Sequence, residues 1–320
     1  MASPNSTFTE LVSTTFRKHK REVADNVTNR NALLKYMNKR GNTRKVDGGL
    51  TIVTPLDYAE NGTYQRYSDW DELNIAASDV ISAAEYTWKQ IALNVVASGR
   101  ELRINSGDAA IINLAKAKMK NAIRTFQNNF SEDLYSDGAL TNQINGLEAI
   151  IAETNTNTVG GIDANTWTFW RNYSFDCSAN SVTPSATTIE NGAMLPVWLQ
   201  LDHGPDDQPD LIVCGNTAYG YYESSQVSLK RYSDASKADG GFVTLKYKNA
   251  DVIFDGNSGI DAFKMFFINT NYLELVVHKD ADLTVMEDMR PVNQDGSVTP
   301  ILWMGNLTCS NRARQGVIWD

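Results

Sequence analysis

The sequence predicts an α+β fold, one mixed unit carrying a helix-bearing insertion. Three observations predict it. A long amphipathic stretch at 106–137 reads as a single helix, and short β-branched, aromatic-rich segments lie on both sides of it. Beyond Gly160-Gly161, strands and helices then intermix with no internal repeat and no low-complexity tract.

Residues 7–40 read as one or two helices. Thr7 or Thr9 can cap the start, and "NALLKYMNKRG" ends at Gly41 with Lys39 and Arg40 in the last turn. Leu33, Leu34 and Met37 recur at helical spacing, so one face wants a partner. The polar residues between them give a weakly self-sufficient arm.

Residues 49–98 read as a long β-excursion. "LTIVTPL" and "YTWKQIALNVVA" are rich in β-branched and aromatic residues, and Ile91, Leu93 and Val95 alternate with Gln90, Ala92 and Asn94. Two strands of roughly fifteen residues, rising ~3.3 Å each, would project the segment between them tens of ångströms outward. That segment is "NGTYQRYSDWD". Asn61-Gly62 signals a tight turn whose central residues take positive φ, while Tyr64, Tyr67 and Trp70 crowd the tip beside Arg66. Aromatics at a tip need something to cover them.

The helix at 106–137 has Ser106 as a capping residue and Asp108 in its first turn, where the helix dipole favours negative charge. Ile111, Ile112, Ala115, Met119, Ala122, Ile123, Phe126, Phe130 and Leu134 form its apolar stripe, and Lys116, Lys120 and Arg124 form a basic row. Gly138 stops it, at a length of about 45 Å. "INGLEAIIA" follows as a strand or short helix. "TTIENGAMLPVWLQL" is helical with a kink or late start at Pro196. "DLIVCG" is a buried strand, and "NTAYGYYESSQ" a helix capped by Asn216 or Thr217. "GFVTLKYKNADVIFDG", "AFKMFFINTNYLELVVH" and the tail supply the closing strands.

Composition excludes several classes. At 320 residues, 42% apolar and 21% charged, the chain can bury a sizeable core and has no disordered or fibrous bias. No apolar run approaches the roughly 18 residues of a membrane span, and the first twenty residues lack the apolar stretch of a secretory signal. Cytoplasmic production is therefore expected. Net charge is −9, split as +6 over residues 1–48 (ten Lys/Arg against four acids) and −15 over the rest. A basic arm on an acidic body can pair with another copy of that body, or remain a solvated face.

Chemistry is hard to find. There is no phosphate-binding glycine loop, nucleophile elbow, HExxH or CxxC, and Cys177, Cys214 and Cys309 are too scattered for a metal site. The three histidines are far apart. Only "LDHGPDDQPD" gathers potential ligands, in Asp202, His203, Asp206, Asp207 and Asp210. Its proline and glycine content reads as a solvated surface connector. The competing reading is a hydrolase using Asp202–Asp210, which would need a nucleophile or base not visible elsewhere. No catalytic residue, cofactor or metal is expected.

The order of parts resembles something specific. A basic helical arm, a long hairpin, a spine-like helix, an insertion and closing strands resemble the major capsid protein of tailed phages, the Hong Kong 97-type fold that encapsulin shells share in outline. "DVISAAEYTWKQ", "LAKAKMKNAIRTF", "VGGIDANTWTFWRN" and "NLTCSNRARQGVI" are similar to phrases in one branch of that family. The resemblance covers nearly the whole chain and implies an N-terminal arm at 1–48 and an extended hairpin, the E-loop, at 49–98. It further implies a peripheral domain at 99–158 and 266–300, and an axial domain at 159–265 and 301–320. An icosahedral phage-head shell of hexamers and pentamers around double-stranded DNA is implied, assembled in the bacterial cytoplasm without sequence-specific DNA contact or membrane. Scaffolding, portal and decoration proteins are the implied further partners, and an encapsulin-like cargo shell is the nearest alternative. Contacts between subunits are expected at Tyr64, Arg66, Tyr67 and Trp70, and at Arg17, Lys18 and Arg21 of the arm. Some relatives crosslink through a hairpin lysine. Residues 57–86 hold Arg66 but no lysine, so crosslinking from this tip is not expected.

Overall fold

A computed structural model describes residues 31–100, 108–205, 207–226, 245–255, 259–290 and 293–320, with 108–117 as backbone alone. Thr7, Thr9, Arg17, Lys18, Arg21, Ser106 and Asp206 lie outside the described residues.

The helix Ala32–Arg40 begins at Asn31, whose side chain accepts from Leu34 N, and ends at Gly41 with φ 78°. Leu33, Leu34 and Met37 are buried in the main core. Strand β1 (Thr43–Val46) then pairs in parallel with β12 (Leu273–His278). This part of the expected arm is thus built into the body. Its cations also have partners at home: Arg40 meets Asp210 at 2.7 Å, Arg44 meets Glu274 at 3.2 Å and Lys45 meets Asp282 at 2.6 Å. Within the subunit these three residues follow neither of the two readings left open for the basic segment, because folding delivers acids from distant sequence.

The hairpin is shorter than expected. Strands β2 (Ile52–Asp57) and β3 (Ile81–Tyr86) pair over six residues each, from Ile52↔Tyr86 to Asp57↔Ile81. The chain then leaves the ladder at Thr87-Trp88. Strand β4 (Lys89–Ser98) pairs instead with β14 (Gly296–Cys309), along the register Gly305↔Lys89 to Gly296↔Ser98. The alternation read in "KQIALNVVA" is a strand as expected, but it belongs to the body.

Two sheets carry the rest. The first runs β1-β12-β14 with β13 (Thr284–Val285) also on β14, and β4 along it. The helix Asp108–Tyr135 is 28 residues long, about 42 Å, and turns Met119, Phe126, Phe130 and Leu134 into the core. Phe130 stacks on Phe126 and meets the Trp303 ring of β14 edge-on at 4.9 Å. "LEAI" becomes a short helix, Leu147–Ile150. Small strands β5 (Thr158–Val159) and β6 (Ile162–Asp163) form a tight hairpin.

The second sheet has the order β7-β15-β11-β8-β10-β9. Its members are Tyr173–Asp176, Gly316–Trp319, Met265–Ile268, Leu211–Cys214, Ala250–Phe254 and Leu245–Tyr247. A second cluster, with Trp198, Tyr222, Met265 and Phe267, lies beneath the helices Leu195–Leu201 and Asn216–Ser225. Pro196 sits in the first turn of its helix, directly after a π-helical segment Ile189–Met194, as a late start requires. The expected cap at Asn216 or Thr217 is wrong. Gly215 is the N-cap and no side chain caps the helix; the Ala262 carbonyl accepts from Thr217 N and Ala218 N. A side chain at 215 would collide with the Asp261 carbonyl. The boundaries expected at 265/266 and 300/301 fall inside β11 and β14, so neither is a break in the fold.

Candidate assembly surface

Between β2 and β3, residues 58–80 form an irregular loop tied by side chain–backbone bonds. Asn61 Oδ1 accepts from Thr63 N, Thr63 Oγ1 and Ser78 Oγ. Gln65 donates to Glu72 O and accepts from Asn74 N, and Asp71 accepts from Ser68 N. Neither Asn61 nor Gly62 takes positive φ, so the expected primed turn is corrected to an Asx-type turn at Asn61. Polar bonds hold this loop while its apolar side chains face outward.

Tyr64 is 82% exposed, Tyr67 69% and Trp70 97%. Sequence reading missed that Leu73 and Ile75 of the same loop, and Ile81 at the start of β3, are exposed as well, with Ile75 92% exposed. The string "LNI" was the available signal. Scattered single apolar residues are ordinary on surfaces, whereas a run of them on one loop makes that loop a candidate contact site.

The base of the loop is fixed. Tyr58 N donates to Val80 O, and the Tyr58 ring sits 5.8 Å from Trp167 and 6.0 Å from Phe169. Glu85 N donates to Gly160 O at 2.9 Å. Gly160 has φ +61° and its Cα lies so close to Ala84 that an added Cβ would sit 2.8 Å from Ala84 Cβ. Tyr86 OH donates to Cys309 O and accepts from Cys309 N, which locks β3 to β14.

No family model and no curated protein matches the sequence. Among solved structures, the chain is similar to the capsid asymmetric unit of cyanophage A-1(L), with TM-score 0.65 and 15% identity over 86% of this chain and 89% of that one. The capsid of a native GTA particle matches at TM-score 0.54 and 14% identity, covering 87% and 88%. A structure from Mycobacterium phage Bobi matches at 0.54 and 10%, again over 87% and 88%. The chain has the Hong Kong 97-type capsid fold.

Within this capsid fold the acidic connector is a structural joint. Asp210 accepts from Thr270 N and Thr270 Oγ1 and pairs with Arg40; Asp207 accepts from Asn269 Nδ2 and pairs with Arg314 at 2.8 Å. Asp202 accepts from Gly204 N, and His203 Nδ1 lies 3.3 Å from Leu201 O. These carboxylates are directed at cations and donors of the fold, not at one another.

Three other carboxylates do converge, on Glu148, Glu153 and Asp261, but the ammonium of buried Lys264 stands among them. Burial, reinforced by the Asp261 charge, raises the Glu153 carboxyl above its ordinary range. Sequence reading missed this cluster, since its members come from two stretches, 148–153 and 261–264, that lie more than a hundred residues apart. It also missed Arg312, a fully buried guanidinium that donates to Ile150 O, Asn157 O, Asn157 Oδ1 and Asn172 Oδ1. Burial pulls its pKa down to about 10, so it stays charged at neutral pH.

Proposed function

We propose that the chain is the major capsid protein of a tailed double-stranded DNA phage, self-assembling into the icosahedral head. The observation that carries this reading is the uncovered aromatic loop on a capsid fold. A chain that folds a well-packed two-cluster core yet leaves Tyr64, Tyr67, Trp70 and Ile75 bare has built a surface for a neighbour. Loop 58–80 is then the distal part of the E-loop, lapped across an adjacent subunit together with Arg66. The sheet holding β4, β12 and β14, with the long helix, forms the peripheral domain; the six-stranded sheet forms the axial domain. Residues 1–30, with Arg17, Lys18 and Arg21, act as an arm between subunits.

The role is structural, without catalysis. The solved neighbours are capsid shells, and the acidic connector is occupied by fold-internal bonds. The body's negative charge suits a wall that holds DNA without gripping it. Scaffolding, portal and decoration proteins are the further partners, the bacterial cytoplasm is the place of assembly, and the virion is the destination. Electron microscopy of purified protein, with and without co-expressed neighbouring genes, tests the reading. Rings, capsomers or closed shells are expected; a monomer under every concentration and salt condition, scaffold included, would overturn it.

A further inference from the structure

A groove of about 570 Å³ runs between β3 and the 160–169 segment. Its floor is a strand edge. Among the described residues strand β3 pairs with β2 alone, and Glu85 N leaves that ladder to reach Gly160 O. In an antiparallel pair alternate residues turn both backbone groups to one side, so Ile81 and Ala83 share the outward direction of Glu85. Among the described residues nothing takes their outward N–H and C=O groups. An open edge of this kind accepts a peptide backbone.

Asp79, Glu85 and Asp163 line the groove, and among the described residues no lysine or arginine does. Asp163 is held below the ordinary carboxylate range by the Thr166 hydroxyl and the Asn165 N–H. Arg171 lies behind it, with its guanidinium engaged by the carbonyls of Ala164 and Asn165. Tyr58, Trp167 and Phe169 form an aromatic wall, a surface chemistry suited to a cation or another ring.

A peptide that fits must be basic with an apolar member. Residues 16–21 read Phe-Arg-Lys-His-Lys-Arg, four cations in six residues with no acid, and they lie outside the described residues. We propose that this groove docks the basic run at 16–21 of a second copy of the chain. The inference rests on the shell-subunit reading for the presence of that copy. It is favoured over capture by the same chain because the groove adjoins the base of the uncovered loop 58–80. A copy that covers the loop stands over the groove as well.

The test places a photo-reactive residue at Lys18 of the full chain and mixes equal amounts of isotope-labelled and ordinary protein under assembly conditions. After irradiation and digestion, links are expected to 79–85 or 160–169, with labelled–unlabelled pairs among them. Glu85→Gln with Asp79→Asn should cut the yield several-fold at low salt without moving the subunit's thermal midpoint. Added salt should do the same to the parent protein. Links mapping elsewhere, or joining only residues of one copy, overturn the proposal. Should particles form while links map elsewhere, the groove is wrong and the shell reading stands. Links between copies in the groove of a species that never forms particles support the groove and sink the shell reading.

Discussion

Replacing Tyr64, Tyr67 and Trp70 together with Ser separates folding from assembly. In the isolated subunit these side chains are 82%, 69% and 97% exposed, so their removal uncovers almost no apolar surface. Substitutions at such positions change stability by no more than about 0.5 kcal/mol each. The loop's own bonds, at Asn61, Gln65 and Asp71, involve none of the three side chains. The unassembled variant should therefore unfold within a few degrees of the parent.

Assembly should respond very differently. An aromatic side chain covered by a partner hides roughly 150–250 Å², and truncating one at an interface centre costs ~1–4 kcal/mol. Even at the lower figure, three weaken one contact by ~3 kcal/mol, a factor of roughly 100 in association. Repeated around a shell, that loss appears as missing or fragile particles in sedimentation and electron microscopy. Thermal unfolding of the unassembled variant is the deciding measurement. A fall of its midpoint by more than about 8 °C would show that the aromatics fill the subunit's own core, and the lapped-loop argument would fail.

Arg312→Ala should cost more than ~3 kcal/mol in chemical denaturation, because four acceptors, two of them fully buried, lose their donor at once. Gly160→Val forces a β-branched side chain into a left-handed φ against Ala84 and Tyr86, so limited proteolysis should cut 58–80 faster and assembly should fall. His203→Ala with Asp206→Ala should leave folding and assembly near parental, whereas Asp210→Ala should destabilise by removing the partner of Arg40 and Thr270. Tight stoichiometric zinc or manganese binding lost in that double variant would revive the hydrolase. Burial pushes the Cys177 and Cys309 thiols up to about 12 and the Cys214 thiol up as well, so thiol reagents at neutral pH should label none until the chain unfolds.

What could be read from the sequence was what local chemistry decides. Gly41 ends its helix because the backbone there is left-handed, and "LIVC" is buried on both faces because a central strand has no polar side. What could not be read was the identity of distant partners. The pattern of "KQIALNVVA" shows a half-buried strand, yet nothing in it says that its neighbour is β14, some two hundred residues away, rather than β2. The cap at Gly215 escaped because its acceptor is the carbonyl of Ala262, a backbone group that no side-chain motif announces. The basic segment divided the same way: Arg40, Arg44 and Lys45 found acids in their own body, which composition cannot distinguish from acids in another copy.

The tip is the opposite case, a pattern read locally whose exposure the structure bears out. Tyr64, Tyr67 and Trp70 stand exposed among Asp69, Asp71 and Glu72, so an unusual surface was announced by neighbouring residues alone. The loop's acids sharpen it. Residues 57–79 hold Asp57, Glu60, Asp69, Asp71, Glu72 and Asp79 against the single cation Arg66, while the long helix presents Lys118, Lys120 and Arg124. Those cations are partly or fully exposed, with Lys118 donating to Val96 O and Arg124 to Asn121 Oδ1. Under the proposed shell reading, an acidic, aromatic loop and a basic helix face on one subunit would complement each other between copies, and a head-to-tail contact of that kind closes into rings when its rotation permits.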